Sequence, residues 1–368
     1  MSYSSLTYKI ALSLIPGVGN ILAKKLVAYA GSLEGVFYEK KHSLVKIPGV
    51  GKTLAGNIAN PALLDLAALE EEYTIKNGIR VFFYLDSNYP SRLKDCPDAP
   101  VLFFMKGEAD LNQSKVLSMV GTRRATHEGK AFCEKLIAQL REKNHEVLIV
   151  SGLAFGIDIT SHRAALNSGF PTVAVLAHGF EFMYPASHAR TAREIVAHGG
   201  LITEFLSYEK PEPPYFVKRN RIIAGLSDAT IVIESDEKGG ALITAEIAAG
   251  YHRDVFAVPG RVTDNMSRGC NRLIKTNQAA LLEKVEDIEY LMGWDENLAS
   301  RPVQTSLFAD LNEEEKNLAE LLRDQSLTID EISRAAGMPV SKASSLLLNL
   351  EFSGLVRCLP GKLYRLNR

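Results

Sequence analysis

Between Val116 and Val258, six apolar runs of strand length alternate with five segments of helical character. The runs are Val116–Val120, Val147–Ser151, Thr172–Ala177, Leu201–Thr203, Ala229–Glu234 and Val255–Val258. Between them lie Glu128–Lys143, Ile157–Ser168, Ala189–His198, Tyr215–Ala224 and Leu242–Tyr251, which predict helices. Strand and helix in strict alternation require long crossovers, and crossovers join parallel neighbours with a right-handed turn. The core is therefore expected to be a mainly parallel α/β sheet of Rossmann-like type.

The flanks read differently. Leu14-Ile15-Pro16-Gly17-Val18-Gly19 recurs as Lys46-Ile47-Pro48-Gly49-Val50-Gly51, and each copy precedes a helix-forming run, Ile21–Ala30 and Thr53–Asn60. Glycines in such a turn allow a tight hairpin and leave N–H groups exposed at the start of the next helix, where a phosphate can bind. The repeat resembles a tandem helix-hairpin-helix unit, which binds nucleic-acid backbone or serves as a packing module. Pro61–Ser114 reads as a connecting region in which Pro100–Gly107 contains a short strand running into a turn. Gly293–Leu311 is polar and aperiodic, a linker. Beyond it, Glu313–Arg323, Ile329–Ala336 and Val340–Ser353 predict helices, and Leu355–Cys358 and Leu363–Leu366 form a hairpin about Pro360-Gly361. Three helices and a hairpin predict a winged helix. Its candidate recognition helix carries only Lys342 and Glu351 as charges, which favours protein contact or weak DNA contact. The expected domains are 1–62, 63–292 and 312–368, joined in the last case by the linker 293–311.

The net charge of -1 conceals an uneven distribution. Residues 1–62 hold seven lysines against two glutamates, and the winged-helix region is neutral. The segment between them carries 27 cations against 33 acids, so a polyanion site there must be local. Cys96, Cys133, Cys270 and Cys358 form no CxxC pair and read as reduced core thiols, with no zinc site expected. No apolar run reaches bilayer length and the N-terminus lacks a signal pattern, so a cytoplasmic protein is expected.

Ligands of open α/β sheets bind beyond the carboxyl ends of the strands. Glycine turns and cations recur there: Val120-Gly121-Thr122-Arg123-Arg124, Ser151-Gly152-Leu153-Ala154-Phe155-Gly156, Lys238-Gly239-Gly240, and Pro259-Gly260-Arg261 with Gly269-Cys270-Asn271-Arg272. None is GxGxxG or a P-loop, which disfavours a standard dinucleotide site or an ATPase. Together they predict a phosphate-lined groove. Phe216-Val217-Lys218-Arg219-Asn220-Arg221 adds three cations and an amide behind a ring able to stack on a base.

Taken in order, Tyr89-Pro90, Val120-Gly121-Thr122-Arg123, Ser151-Gly152-Leu153-Ala154 through Gly156-Ile157-Asp158 to His162, Phe216 with Arg219-Asn220-Arg221-Ile222-Ile223, Gly240–Ala245 and Pro259-Gly260 closely resemble the bacterial DNA-processing protein A (DprA/Smf) family. The resemblance covers nearly the whole chain. It implies an extended Rossmann-like core in a homodimer that binds single-stranded DNA, protects it and loads RecA recombinase during natural transformation. It implies no enzymatic activity and no cofactor. By matching motif, the DNA-binding residues would be Gly121, Arg123, Ser151, Gly152, Phe216, Lys218, Arg219, Asn220, Arg221 and Gly240. The family often has Pro and Ser where this chain has Val217 and Gly239; neither departure removes a charge. If Arg219 and Arg221 take phosphates, alanine at either weakens binding and lowers the salt slope by about 1; the other reading makes them buried ion-pair partners that orient the groove.

Two different functions remain open at this level. Gly239-Gly240 with Thr244 and Glu246 loosely resembles the motif of nucleotide phosphoribohydrolases, in which Glu246 would act on a ribosyl bond, although the spacing is wrong and no second acid is placed. An interaction scaffold with a vestigial sheet would bind no DNA at all. Asp158 and His162, four apart on a helix, have metal-ligand spacing but no third ligand, which favours a capping Asp and a structural His. Ser151 has no His/Asp partner to make it a nucleophile.

Overall fold

All six apolar runs are strands of one sheet. The computed structural model describes residues 3–294, 311–323, 325–359 and 363–366, in two units, Met1–Asp287 and Ile288–Arg368. The first unit opens with helices α1 (Ser5–Leu14), α2 (Asn20–Ala30), α3 (Leu33–Tyr38), α4 (Lys41–Leu44), α5 (Lys52–Ile58) and α6 (Ala62–Lys76). Strands β1 (Arg80–Phe83) and β2 (Leu102–Gly107) follow, separated by the short α7 (Ser91–Lys94). Then come β3 (Val116–Val120), α8 (His127–Glu142), β4 (Leu148–Ser151), α9 (Ile157–Asn167), β5 (Thr172–Val175), α10 (Ala189–His198) and β6 (Gly200–Thr203). The remainder is α11 (Pro213–Leu226), β7 (Ala229–Val232), α12 (Gly240–Gly250), β8 (Asp254–Ala257), α13 (Arg268–Lys275) and β9 (Ala280–Leu281); α14 (Val285–Met292) contains the division between the units.

The strand order is β1-β2-β6-β5-β4-β3-β7-β8-β9. From β6 to β9 every pairing is parallel, while β1–β2 and β2–β6 are antiparallel. Every residue of β3, β4, β5, β6 and β7 is buried, as expected for strands with helices on both faces. Residues 61–114 are therefore not a connector. They supply α6, the two antiparallel strands of one sheet edge and α7, whose Arg92 clasps Asp228 at 2.6 Å while Asp228 also accepts from the Val116 amide.

In the N-terminal region the hairpin glycines Gly17 and Gly49 have φ of 82° and 95°, a left-handed backbone that a side chain would strain. Gly19 and Gly51 begin α2 and α5 with no side-chain cap, leaving the first amides of both helices open. The two repeats hold each other: a β-carbon at Gly17 would touch Leu54, and one at Gly49 would touch Leu22. Lys9 pairs with Asp86 at 2.7 Å, so part of the lysine excess fastens helices to the sheet. The boundary expected at 62/63 falls at the first turn of α6. Leu63, Leu64 and Ala67 of that helix share one core with Ile10, Leu26 and Ile58, and with Phe83, Leu102 and Phe104 of the edge strands.

The second unit contains α15 (Glu313–Leu321), β10 (Leu327–Thr328), α16 (Ile329–Ala335), α17 (Val340–Phe352), β11 (Val356–Leu359) and β12 (Leu363–Leu366), with sheet order β10-β12-β11. Asn312 with Glu315 and Thr328 with Glu331 form reciprocal capping boxes at two helix starts. Lys342 of the candidate recognition helix is engaged by Glu314 at 2.5 Å, and the helix exposes Leu348 and Phe352. The Pro360-Gly361 turn and nearly all of the 293–311 linker lie outside the described residues. Cys96, Cys133 and Cys270 are core thiols, but Cys358 is exposed because it lies on the small hairpin, which has too little mass above it to cover its outer face.

Candidate nucleic-acid interface

The sheet reverses its winding between β3 and β7. From β3 the chain proceeds outward through β4, β5 and β6; it then crosses back to β7 on the other side of β3. Loops leaving β3 and β7 therefore diverge and open a crevice at their carboxyl ends. A cavity of about 420 Å³ lies there, lined by Gly121, Thr122, Arg123, Asp158, Phe216, Arg219, Asn220, Gly240, Thr244 and Met266 among others.

Helix α11 forms one wall. Proline at its start pre-sets the first turn, and Ile222, Ile223 and Leu226 bury one face against the sheet. Arg219 stands three, four and seven residues before them, on that same inward stripe. It is only 4% exposed, and Nη1 donates to the Val175 carbonyl. A β-carbon at Gly152 would overlap its guanidinium, so Gly152 is the space that Arg219 occupies. Burial lowers the Arg219 pKa to about 10 against the pull of Asp158, and Arg123 adds to the lowering. Burial likewise raises the Asp158 pKa, with Arg219 opposing. Arg219 forms the floor of the crevice, charged but enclosed.

The walls present what the floor does not. Exposed Arg123 lies over the Phe216 ring at 5.2 Å, and Tyr184 meets that ring edge-on at 5.5 Å. The Arg123 loop is fixed by Glu234, whose carboxylate accepts from the Thr126 amide at 2.9 Å and its hydroxyl at 2.5 Å. The Thr122 amide donates to the Glu234 carbonyl at 2.8 Å, and the Thr122 hydroxyl oxygen accepts from the Arg124 amide at 3.2 Å. The Tyr184 amide donates to His178 Nε2 at 3.2 Å, which leaves Nδ1 protonated to donate to the Gly179 carbonyl. Opposite, α12 begins at exposed Gly240 with no side-chain cap, and Gly239, Gly240 and Ala241 line the crevice at that helix start. A cation, a ring and open amides converge on a space wide enough for a nucleotide.

Arg123, Phe216, Asn220, Arg219, Gly121 and Gly240 thus line one crevice. Gly152 and Ser151 lie beneath it; the Ser151 hydroxyl is fully buried and donates to the Met119 carbonyl at 2.6 Å. Gly121 is needed because a β-carbon would overlap Ile157. Lys218 is half-exposed, 3.5 Å from Glu204 and over the Phe205 ring. Arg221 is not in the crevice. It is 8% exposed, joined to Glu204 and the Asp98 carbonyl, and borders a separate cavity with Gly17, Gly19, Pro48 and Gly49 of the two hairpins. Glu246 is exposed on α12 and does not line the crevice.

His162 is fully buried, its Nδ1 2.7 Å from the Thr172 hydroxyl, and burial lowers its pKa to about 3. Among the described residues no group of three His, Cys, Asp or Glu side chains is placed to hold a metal, and no helix is long and apolar enough to cross a membrane. Sequence reasoning missed Tyr184, which meets the Phe216 ring at 5.5 Å from a loop no motif marks.

Comparison with known proteins follows the same division of the chain. The model for DNA recombination-mediator protein A matches residues 80–293, that for the DprA winged helix domain matches 304–362, and that for the SAM-like helix-hairpin-helix tandem matches 10–60. A putative DNA processing protein DprA of Mycobacterium tuberculosis is 34% identical over 328 residues, covering 85% of this chain and 84% of that one. DNA processing protein DprA of Streptococcus pneumoniae is 41% identical over 248 residues, covering 64% and 86%. The crystal structure of the S. pneumoniae protein superposes with a TM-score of 0.65 at 33% identity, covering 78% of this chain and 98% of the other. DNA processing protein A from Helicobacter pylori, described for its single-stranded DNA binding mode, gives 0.53 at 27% identity, covering 59% and 96%.

Proposed function

We propose that this chain, which belongs to the DNA recombination-mediator protein A (DprA/Smf) family, holds single-stranded DNA in the crevice between β3 and β7. The observation that carries this reading is the convergence of exposed Arg123, the Phe216 ring and the uncapped start of α12 on one cavity. Arg123 takes a phosphate, the α12 amides take another, and Phe216 stacks a base. None of these reads a base edge, so binding is tolerant of sequence. Arg219 holds the floor rigid and keeps a positive potential beneath the strand without touching it. The strand so held is protected and passed to RecA during transformation by a homodimer of this chain; this part rests on the family resemblance. Exposure of Glu246 away from the crevice leaves the hydrolase alternative without its carboxylate.

Fluorescence anisotropy with a labelled oligonucleotide, single-stranded and duplex, across a salt series tests the reading. Tight, salt-sensitive, single-strand-preferring binding that Arg123→Ala weakens is expected. Duplex preference, or indifference to Arg123→Ala, would overturn it. RecA-filament nucleation on coated single strands, with and without the protein, tests the later step.

A further inference from the structure

The crevice does not end at Met266. That side chain also walls a second depression of about 220 Å³, whose far rim is Pro259, Gly260 and Arg261 and whose near wall carries Glu128, Glu234 and Asp264, so an anion there is drawn to the Arg261 side. The two are tied together by the backbone. The Ser235 amide donates to the Met266 carbonyl at 2.7 Å, and the Gly269 amide donates to the Ser235 carbonyl at 2.8 Å. Asn271 clamps the Gly260 loop from both sides, accepting from its amide at 3.1 Å and donating to its carbonyl at 2.9 Å. The backbone beside Arg261 is thereby fastened to α13.

Helix α13 buries Gly269, Cys270 and Leu273 and exposes Arg268, Arg272 and Lys275, spaced so that all three lie on one face. Residues 261–275 carry four cations against one acid, Asp264, within an otherwise acidic part of the chain. Among the described residues, none of these four cations has an ion-pair partner. Arg268 occupies the first position of the helix, where the macrodipole disfavours a cation, and faces a like charge four residues on. An isolated helix gains nothing from this arrangement; an anion laid along it reverses both penalties.

We propose that Arg261, Arg268, Arg272 and Lys275 form a second backbone subsite. It takes the phosphates of a single strand after the strand leaves the β3–β7 crevice over Met266. The proposal rests on the single-strand reading above and extends it from one nucleotide-sized crevice to a track.

Oligonucleotides of roughly 6 and roughly 30 nucleotides, one near the short end of the site sizes of such grooves and one well beyond them, separate the two ideas. Binding of each is measured by anisotropy against salt for wild type, Arg268→Ala/Arg272→Ala and Arg123→Ala, with circular dichroism to confirm folding. The double variant should lower the salt slope by about 1.4 on the long oligonucleotide, two contacts at about 0.7 each, and leave the short one unchanged. Equal slopes at both lengths, or equal losses at both, would overturn the track. Failure of wild type to bind either length, or no effect of Arg123→Ala on the short one, would instead overturn the crevice. A Gln/Gln double variant replaces the alanine pair if folding suffers.

Discussion

Arg219 and Arg123 are two arginines of one crevice, and the structure gives them opposite jobs that a single pair of substitutions separates. Arg219 is buried, donates to the Val175 carbonyl and is the principal positive charge acting on buried Asp158. Alanine there strands a carbonyl acceptor, worth about 1–3 kcal/mol. It also removes the principal positive charge acting on buried Asp158, so that carboxyl is pushed further toward its neutral form. Arg123 is exposed and gives up only a surface cation–π contact with Phe216, about 0.5–1 kcal/mol. On DNA the order inverts. Arg123→Ala removes a phosphate contact and should lower the single-strand salt slope by about 0.7, whereas Arg219→Ala, in whatever fraction stays folded, keeps the wild-type slope. Urea unfolding gives the first comparison and salt-dependent anisotropy the second. An Arg219→Ala protein as stable as wild type with a slope reduced as much as that of Arg123→Ala would refute the buried-floor reasoning.

His162 offers a test by pH. Its folded pKa lies below its ordinary value, at about 3, so protonation favours the unfolded chain; the stability it contributes is complete above about pH 6.5 and falls as pH drops toward 3. Between pH 7 and pH 5 wild type should lose about 2 kcal/mol more than His162→Gln in urea titrations; equal losses would refute the assignment. Gly121→Ala should destabilise by about 1–3 kcal/mol through overlap with Ile157. Gly240→Ala, which meets nothing within 4 Å, should gain about 0.4–1 kcal/mol in thermal unfolding yet weaken single-strand binding by filling the crevice. Phe216→Ala should lose about 1–3 kcal/mol of binding, and Tyr184→Ala, which frees only the ring's edge, should lose less by the same anisotropy assay.

The parallel sheet was legible because its strands are buried on both faces and read as unbroken Val/Ile/Leu runs, as in Val147–Ser151. The antiparallel edge was not. Arg80–Phe83 is four residues long, begins with a charge and follows a helix in which Leu63, Leu64, Leu66 and Leu69 blur the helical period. Only some of these face the core; Leu66 and Leu69 are exposed. In the site, composition located the crevice but treated its cations alike. The periodicity that would have sorted them was present: Arg219 aligns with Ile222, Ile223 and Leu226 and is buried, while Lys218, one residue off that line, is not. Arg221 could not be placed this way, because its partners Glu204 and Asp98 are distant in sequence. Tyr184 reaches Phe216 only through the fold, from a loop held by His178.

Phe83, Leu102 and Phe104 on the antiparallel edge lie under the first helices, each at most 2% exposed. A fragment beginning at residue 80 would turn those three side chains toward water as one greasy seam, at about 1.5–3 kcal/mol each. Its bare edge strands would invite another copy to pair with them. The helical end is thus not a cassette that a gene can drop or exchange freely. A chain that sheds it would have to recolour the sheet's rim in the same step.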